Sequence, residues 1–146
     1  MTHSSIGRRR RWVLGAAALL VPRLLRADAA PERAAFAAQA AEMRRRAIAN
    51  GDQAYGAVVV RDGRVVGEGV SAVVTNRDPS AHAEMQALRD AARRLGTQDL
   101  SGCELYGTSR ACPMCESAAF DARIARMYYG PEARDAGPPA SRQSVR

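Results

Sequence analysis

The spacing of apolar residues predicts a helix followed by a β-hairpin in the first half of the chain. Beyond Pro31, apolar positions recur on one helical face as far as Asn50-Gly51, at Ala35, Phe36, Met43, Ala47 and Ile48. The segment 55–70, YGAVVVRDGRVVGEGV, then contains two strand-like runs separated by Asp62-Gly63. An Asp-Gly pair between such runs is typical of a two-residue hairpin turn, so we expect two antiparallel strands.

The second half of the chain predicts two more helices that alternate with two strands. Asp78 resembles an N-cap, with Pro79 at the first helical position and a helix over about 80–95. A strand-like CELYGTS, a helix over about 113–123 and a strand-like ARMYYG follow. Strands joined through helices favour parallel neighbours beside the antiparallel hairpin. The order predicts an α/β fold, a three-layer α/β/α sandwich around a small mixed sheet.

Charge is concentrated at the N-terminus. The chain has 146 residues and a formal net charge of +7, with 22 basic residues that are all arginine. Residues 1–29 carry six Arg and one acid, which gives +5, whereas residues 30–146 carry sixteen Arg and fourteen acids, which gives +2. A nearly balanced body gives little attraction for a phosphate backbone, so we expect no stable nucleic-acid partner.

The basic N-terminus has the parts of an export signal. An arginine cluster precedes the apolar run 13–21, and Ala27-Asp28-Ala29 offers small residues for cleavage. The run is too short to span a bilayer, and the paired arginines resemble a twin-arginine signal. We therefore expect an export signal over 1–29, a twin-arginine translocase as transient partner and a periplasmic location. A disordered basic arm is the alternative. After the export signal, we expect the chain to consist of one domain over 30–136 and a loose C-terminal tail over 137–146.

Four side chains with metal and proton-transfer chemistry fall at two predicted helix starts. His82 and Glu84 lie at the start of the helix after the hairpin, and Cys112 and Cys115 lie at the start of the next helix. One histidine and two thiolates provide three zinc ligands and leave a fourth position for water, which is the pattern of a catalytic site. Glu84 is placed to move protons to and from that water. A cysteine redox pair is the alternative for the two thiols, and Cys103 is expected to be a buried small hydrophobe.

These motifs resemble a known enzyme family. HAE at 82–84 and CPMC at 112–115 are similar to the signature of the cytidine deaminase-like zinc hydrolases. The resemblance runs over about 36–136 and is nearest the branch of guanine deaminases and tRNA adenosine deaminases, the CMP/dCMP-type deaminase domain. It implies that Zn²⁺ is bound by His82, Cys112 and Cys115. It also implies that Glu84 is the general acid/base and that zinc-bound water attacks the amine-bearing ring carbon.

The resemblance also implies substrate contacts and shows departures. It places Tyr55, Ser71, Ala83 and Asp135 at the substrate, with Ser71 where the family has Asn and Asp135 at the spacing found in guanine deaminases. Arg110-Ala111 stands where the family has Glu-Pro. The family's last strand and helix are expected to be absent after residue 136, which makes the domain C-terminally short. Related domains complete their sites across subunits, so a homodimer is expected.

Three functions remain open at this point. The first is zinc-dependent deamination of a free nucleobase or nucleoside, with a purine such as guanine as the small-molecule substrate. The second is tRNA adenosine deamination, and the third is a catalytically degenerate, secreted deaminase-fold protein. The intact ligand set and Glu84 favour the two enzymes over the third reading, and the low charge of the body favours the small molecule over tRNA.

Overall fold

The structure is a computed structural model that describes residues 29–141. The predicted export signal and the end of the predicted tail, residues 1–28 and 142–146, lie outside the described residues. The described part contains three helices and five strands. The helices are α1 (Ala29–Ala49), α2 (Ala83–Leu95) and α3 (Pro113–Asp121), and the strands are β1 (Gly56–Arg61), β2 (Arg64–Val70), β3 (Glu104–Gly107), β4 (Arg126–Tyr129) and β5 (Arg134–Gly137).

The strands form one mixed sheet in the order β2-β1-β3-β4-β5. β1 pairs antiparallel with both β2 and β3, while β3 and β4 are parallel and β5 returns antiparallel to β4. The strands joined by α3 are therefore parallel neighbours, as predicted. The strands joined by α2 run in the same direction but have β1 between them, because the hairpin places its first strand on the inner side.

The helices cover both faces of the sheet and confirm the three-layer α/β/α sandwich. Alternate residues of β1 point to opposite faces. Ala57 and Val59 belong to the core under α2 and α3, whereas Val58 and Val60 belong to the core under α1. All four side chains are almost fully buried, which explains why β1 is apolar at successive positions rather than at alternate ones.

Helix α2 lies unusually close to the edge strand β2. A Cβ atom placed on Gly69 would lie 1.9 Å from the backbone oxygen of Ala83, and one on Gly67 would lie 2.5 Å from the oxygen of Ala87. These two positions must therefore lack side chains for the first turns of α2 to rest on the strand. The sequence GEG of β2 thus sets the distance between the sheet and the helix start that carries His82 and Glu84.

A buried carboxylate fastens the same helix to the same strand. Asp90 of α2 is 7% exposed and accepts a hydrogen bond of 2.9 Å from the backbone amide of Glu68 in β2. Arg94 donates to the same carboxylate at 2.8 Å, and Arg93 pairs with its other oxygen. An edge-strand amide that would otherwise face solvent is therefore satisfied by the helix, which adds a polar anchor to the close packing.

The predicted hairpin and the first helix are confirmed with small changes. Asp62 and Gly63 have φ angles of 50° and 72°, the two positive values that a type I′ turn requires. Helix α1 buries Phe36, Met43 and Ala47 as predicted, but Ala35 and Ile48 are exposed. The buried face is completed by small residues, Ala37 and Ala40.

The start of the second helix differs from the prediction. Helix α2 begins at Ala83 rather than near residue 80, and its N-cap is His82 rather than Asp78. Asp78 instead accepts hydrogen bonds from the amide and hydroxyl of Ser80, at 2.8 Å and 2.7 Å, in a turn before the helix. An aspartate at such a position satisfies a local turn as readily as a helix end, and the sequence alone does not separate the two.

The fifth strand was not expected from the sequence. The absence of the family's last strand and helix after residue 136 stays a prediction, since β5 lies almost entirely before that point. β5 has four residues, RDAG, with no apolar alternation to indicate a strand. It is held by backbone pairing with β4 and by the ion pair between Arg126 and Asp135. Gly137, assigned to the loose tail, is its last residue. Within the described residues, no helix has the length and apolar character needed to cross a membrane.

Candidate metal centre

Two helix N-termini converge at one end of the sheet and carry the predicted ligands. His82 is the N-cap of α2 and Cys112 is the N-cap of α3, both with extended backbone angles, and neither side chain caps its own helix. Cys115 lies in the first turn of α3 and is fully buried. Because the helix dipoles direct partial positive charge toward this point, thiolates are favoured there.

The three ligand atoms form a nearly equilateral triangle. His82 Nδ1 lies 3.6 Å from Cys112 Sγ and 3.6 Å from Cys115 Sγ, and the two sulfur atoms are 3.6 Å apart. Tetrahedral zinc with ordinary bond lengths requires edges of about 3.5–3.8 Å between such donors. The His82, Cys112 and Cys115 side chains therefore fit a zinc ion with one coordination position left open. The predicted cofactor, Zn²⁺, is confirmed at the level of the ligand set.

The electrostatics of the site favour a bound cation wherever the thiols are ionised. Burial, followed by the nearby Glu84 carboxylate, raises the pKa of the Cys115 thiol. A thiolate at this position is therefore costly unless a positive ion accompanies it. Zinc supplies that charge, since coordinated thiols lose their protons outright. A disulfide is not formed in the structure, where both cysteines carry free thiols.

Glu84 lies beside the triangle without belonging to it. It is 6% exposed, and its Oε2 atom is 3.8 Å from Cys115 Sγ. A Cβ atom on Gly107 would lie 3.4 Å from Glu84 Oε1, so the glycine at the end of β3 leaves room for the carboxylate. Burial raises the pKa of Glu84, although its own backbone amide and His82 oppose the shift. A carboxylate with a raised pKa is suited to exchanging protons near neutral pH. We refer to His82, Glu84, Cys112 and Cys115 as the metal end.

A cavity of about 360 Å³ opens in front of the metal end. Besides His82, Glu84 and Cys112, its lining consists of four residues from two loops, which we call the substrate wall: Gln53, Tyr55, Ser109 and Arg110. The size and concave shape are within the range of small-molecule sites, and the wall offers amide, hydroxyl and guanidinium donors. Tyr55 lies on the cavity as predicted and is 45% exposed.

Asp52 holds together the loops behind the substrate wall. Its Oδ1 accepts hydrogen bonds from the Gln53 amide at 2.8 Å and the Ser71 hydroxyl at 3.0 Å, and its Oδ2 accepts from the amides of Val74 and Thr75. Desolvation opposes ionisation of Asp52, but the amides of Thr75 and Gln53 and the Ser71 hydroxyl outweigh it and lower its pKa to about 2. One carboxylate thus joins the loop before β1 to the loop between β2 and α2.

The remaining predicted substrate residues lie outside the cavity lining. Ser71 is buried behind the wall, where its hydroxyl is donated to Asp52 and its amide to the Tyr55 carbonyl. Asp135 accepts two hydrogen bonds from Arg126 Nε, at 2.9 Å and 2.8 Å, and one from the Gly137 amide. Ala83 is buried in the core beneath the site. For all three, contact with substrate stays a prediction.

Four residues of the site were not predicted from the sequence. Gln53, Ser109 and Arg110 line the cavity, and Asp52 organises the loops behind it. Asp52 follows Asn50-Gly51, a pair typical of a helix end and turn, and that position was the only available signal. No local pattern indicates which loop it caps, since its partners are about twenty residues further along the chain.

Comparison with known proteins agrees with the geometry. Residues 31–131 match the model of the cytidine and deoxycytidylate deaminase zinc-binding region. A guanine deaminase of Bacillus subtilis is 44% identical over 82 residues, which cover 56% of this chain and 53% of that protein. A tRNA-specific adenosine deaminase of Aquifex aeolicus is 40% identical over 85 residues, which cover 58% of this chain and 56% of that protein. The chain therefore spans about half the length of the curated relatives it matches.

Solved structures show the same fold. The guanine deaminase structure from Bacillus subtilis aligns with a TM-score of 0.64 and 37% identity, over 66% of this chain and 62% of that chain. A structure from a study of A-to-I editing by tRNA deaminases at the wobble position aligns with a TM-score of 0.65 and 39% identity, over 67% of this chain and 75% of that chain. With a matched zinc-binding region, a ligand triangle of the right size and a shared fold, the chain belongs to the cytidine and deoxycytidylate deaminase zinc-binding family.

Proposed function

We propose that this protein is a zinc-dependent hydrolytic deaminase that acts on a purine base or its nucleoside. The observation that carries the proposal is the combination of the ligand triangle with a buried carboxylate outside it. Glu84 is close enough to share the site, 3.8 Å from Cys115, but the three protein ligands are supplied by other side chains. A purely structural zinc site would use a fourth protein ligand and would need no such carboxylate.

The side chains divide the work of deamination. Zinc, when bound, polarises water so that it becomes a nucleophile at neutral pH. Glu84 accepts a proton from the attacking water and passes it to a ring nitrogen. Glu84 then transfers the second proton of that water to the exocyclic nitrogen, which leaves as ammonia. The ring carbon gains a carbonyl oxygen as its bond to the amine breaks. Burial of Glu84 keeps bulk water from competing for these protons.

Guanine or guanosine is the substrate that the similarities favour. The proposal is supported by the relationship to a guanine deaminase and by the size of the cavity, about 360 Å³. It is also supported by the small net charge of +2 over residues 30–146, which gives little attraction for a polynucleotide.

An ammonia-release panel tests this proposal. Purified protein is incubated with guanine, adenine, cytosine, their nucleosides and a tRNA anticodon stem, with Glu84→Gln protein as the blank. We expect release from guanine or guanosine first. Turnover of tRNA alone would overturn the small-molecule assignment. Turnover of none of them by zinc-loaded protein would instead favour a catalytically degenerate deaminase fold.

Deamination of adenosine in tRNA is the second candidate, and one observation favours it. The aligned region covers 75% of the tRNA deaminase structure but 62% of the guanine deaminase structure. Such an enzyme would bind a phosphate backbone, so its activity should fall steeply with salt. Turnover of the free base should depend little on ionic strength, and a salt series therefore separates the two candidates.

We further propose that the protein is exported and acts as a homodimer. The twin-arginine-like pattern supports export, and a folded export route would allow zinc to protect Cys112 and Cys115 from oxidation beforehand. Replacing Arg9 and Arg10 by lysine should leave the protein inside the cell, and normal secretion of that variant would contradict the route. Sedimentation of the zinc-loaded protein tests the dimer, which an active monomer would exclude.

A further inference from the structure

We propose that Arg110 selects a substrate carrying a phosphate, so that the preferred substrate is a purine nucleoside monophosphate. This inference rests on the proposed deaminase function and specifies its substrate class. The observation that carries it is an unpaired guanidinium at the mouth of the cavity. Arg110 is exposed and lines the cavity, and it has no hydrogen-bond or ion-pair partner within residues 29–141.

Several arginines of the described residues form ion pairs and others, such as Arg64, do not, but Arg110 is the arginine that lines this cavity. Arg93 and Arg94 pair with Asp90, Arg123 pairs with Asp99, and Arg126 pairs with Asp135. Each of these cations has a local carboxylate, whereas Arg110 faces a cavity in which the nearest acid, Glu84, is buried at the metal end. A guanidinium left open at a cavity mouth is suited to a ligand group with two oxygens, because its planar fork donates two parallel hydrogen bonds.

The position of Arg110 suits a group remote from the reacting carbon. It is two residues before Cys112, so its backbone lies within about 7 Å of the backbone of a ligand residue. Its long side chain then extends outward, as its exposure shows. A base that places its amine at the metal end would direct a sugar toward the cavity mouth. The anion that a nucleoside carries there is a phosphate ester.

The test compares guanosine 5′-monophosphate with guanosine. We expect the wild-type protein to have a higher kcat/KM for the nucleotide, by about tenfold or more, and the Arg110→Gln change to remove this preference. Arg110→Lys, which keeps the charge but loses the fork, should retain part of it. Arg64→Gln is the matched control, since Arg64, the first residue of β2, is an exposed arginine without a partner among the described residues and does not line the cavity. The control should keep the wild-type preference.

A binding measurement separates recognition from turnover. In zinc-loaded Glu84→Gln protein, equilibrium dialysis should show tighter binding of the nucleotide than of guanosine, and the difference should shrink as salt is raised. Inorganic phosphate should compete with the nucleotide. Equal loss of kcat/KM for guanine, guanosine and the nucleotide in Arg110→Gln would place the guanidinium against the base and overturn the proposal. Absence of turnover for all three would instead contradict the proposed deaminase function.

Discussion

The metal end and the substrate wall share one cavity but are built in different ways. The side chains of the metal end stand on the first turns of two helices, and the helix that carries His82 and Glu84 rests on β2 without intervening side chains at Gly67 and Gly69. The substrate wall comes from two loops, whose shape depends on hydrogen bonds to one carboxylate, Asp52, and on the end of β3.

This difference indicates that the metal end carries out the reaction and that the substrate wall determines which substrate binds. Backbone packing at helix ends allows few alternatives, so the ligand triangle is fixed by the fold and tolerates little change. A loop held by side-chain hydrogen bonds can change residues without disturbing the core. We therefore expect substitutions at the metal end to abolish function or folding, and substitutions at the substrate wall to change KM or specificity.

The largest effect is expected at Glu84. Glu84→Gln removes a proton carrier and leaves all three zinc ligands, so kcat should fall about 10²- to 10⁴-fold while zinc content stays normal. Steady-state ammonia release together with metal analysis measures both quantities. Glu116→Gln is a matched control, because Glu116 lies in the first turn of α3 and does not line the cavity. Wild-type kcat in Glu84→Gln protein would refute the assigned role.

A large effect on stability is expected at Gly69. In Gly69→Ala the new Cβ would meet the Ala83 oxygen at 1.9 Å, so α2 must move away from β2 and carry His82 with it. Overpacking against backbone should cost about 3 kcal/mol or more of unfolding free energy and weaken zinc binding. In Gly51→Ala the Cβ would meet nothing within 4 Å and only the positive φ is strained, which should cost about 1–2 kcal/mol. Similar denaturant midpoints for the two variants would contradict this account of the packing.

A smaller and different effect is expected at Asp52. Asp52→Ala removes the acceptor for the Ser71 hydroxyl and for the amides of Val74 and Thr75, so the loops behind the substrate wall should loosen. We expect KM to rise severalfold with kcat nearly unchanged, because the close packing of α2 on β2 at Gly67 and Gly69 remains when these hydrogen bonds are lost. A loss of zinc in Asp52→Ala protein would show that the two regions are not independent.

The smallest effect is a pH dependence from the same carboxylate. The pKa of Asp52 in the folded protein is about 2, below its ordinary value of 3.8, so its stabilising contribution is complete above the ordinary value and is lost as the pH falls toward 2. The difference in Tm between wild-type and Asp52→Asn protein should therefore be constant above pH 5 and shrink below pH 4. A difference that persists unchanged at pH 2 would contradict the lowered pKa.

The contrast between the two regions also explains what the sequence could predict. The metal end could be predicted from local signals, since HAE and CPMC each fall at a helix start. A histidine and two cysteines at such positions are seldom found together except as metal ligands. The hairpin could also be predicted from the sequence, because Asp62-Gly63 favours one turn type. These features were predicted correctly from residues close together in the chain.

The loops behind the substrate wall depend on partners distant in sequence, and β5 depends on strand pairing that no apolar pattern indicates. The Ser71 hydroxyl is donated to Asp52, nineteen residues earlier in the chain, and no local pattern predicted this bond. β5 has no hydrophobic pattern and is held by pairing with β4 and by the Arg126 ion pair with Asp135. Such interactions arise from tertiary contact alone, and no local propensity records them.

The zinc content of the purified protein tests the central claim most directly. If His82, Cys112 and Cys115 hold a catalytic ion, metal analysis should give one zinc per chain in wild-type protein and almost none in His82→Ala protein. Wild-type protein without zinc, or with Cys112 and Cys115 joined in a disulfide, would contradict the metal site and the deaminase function proposed for it.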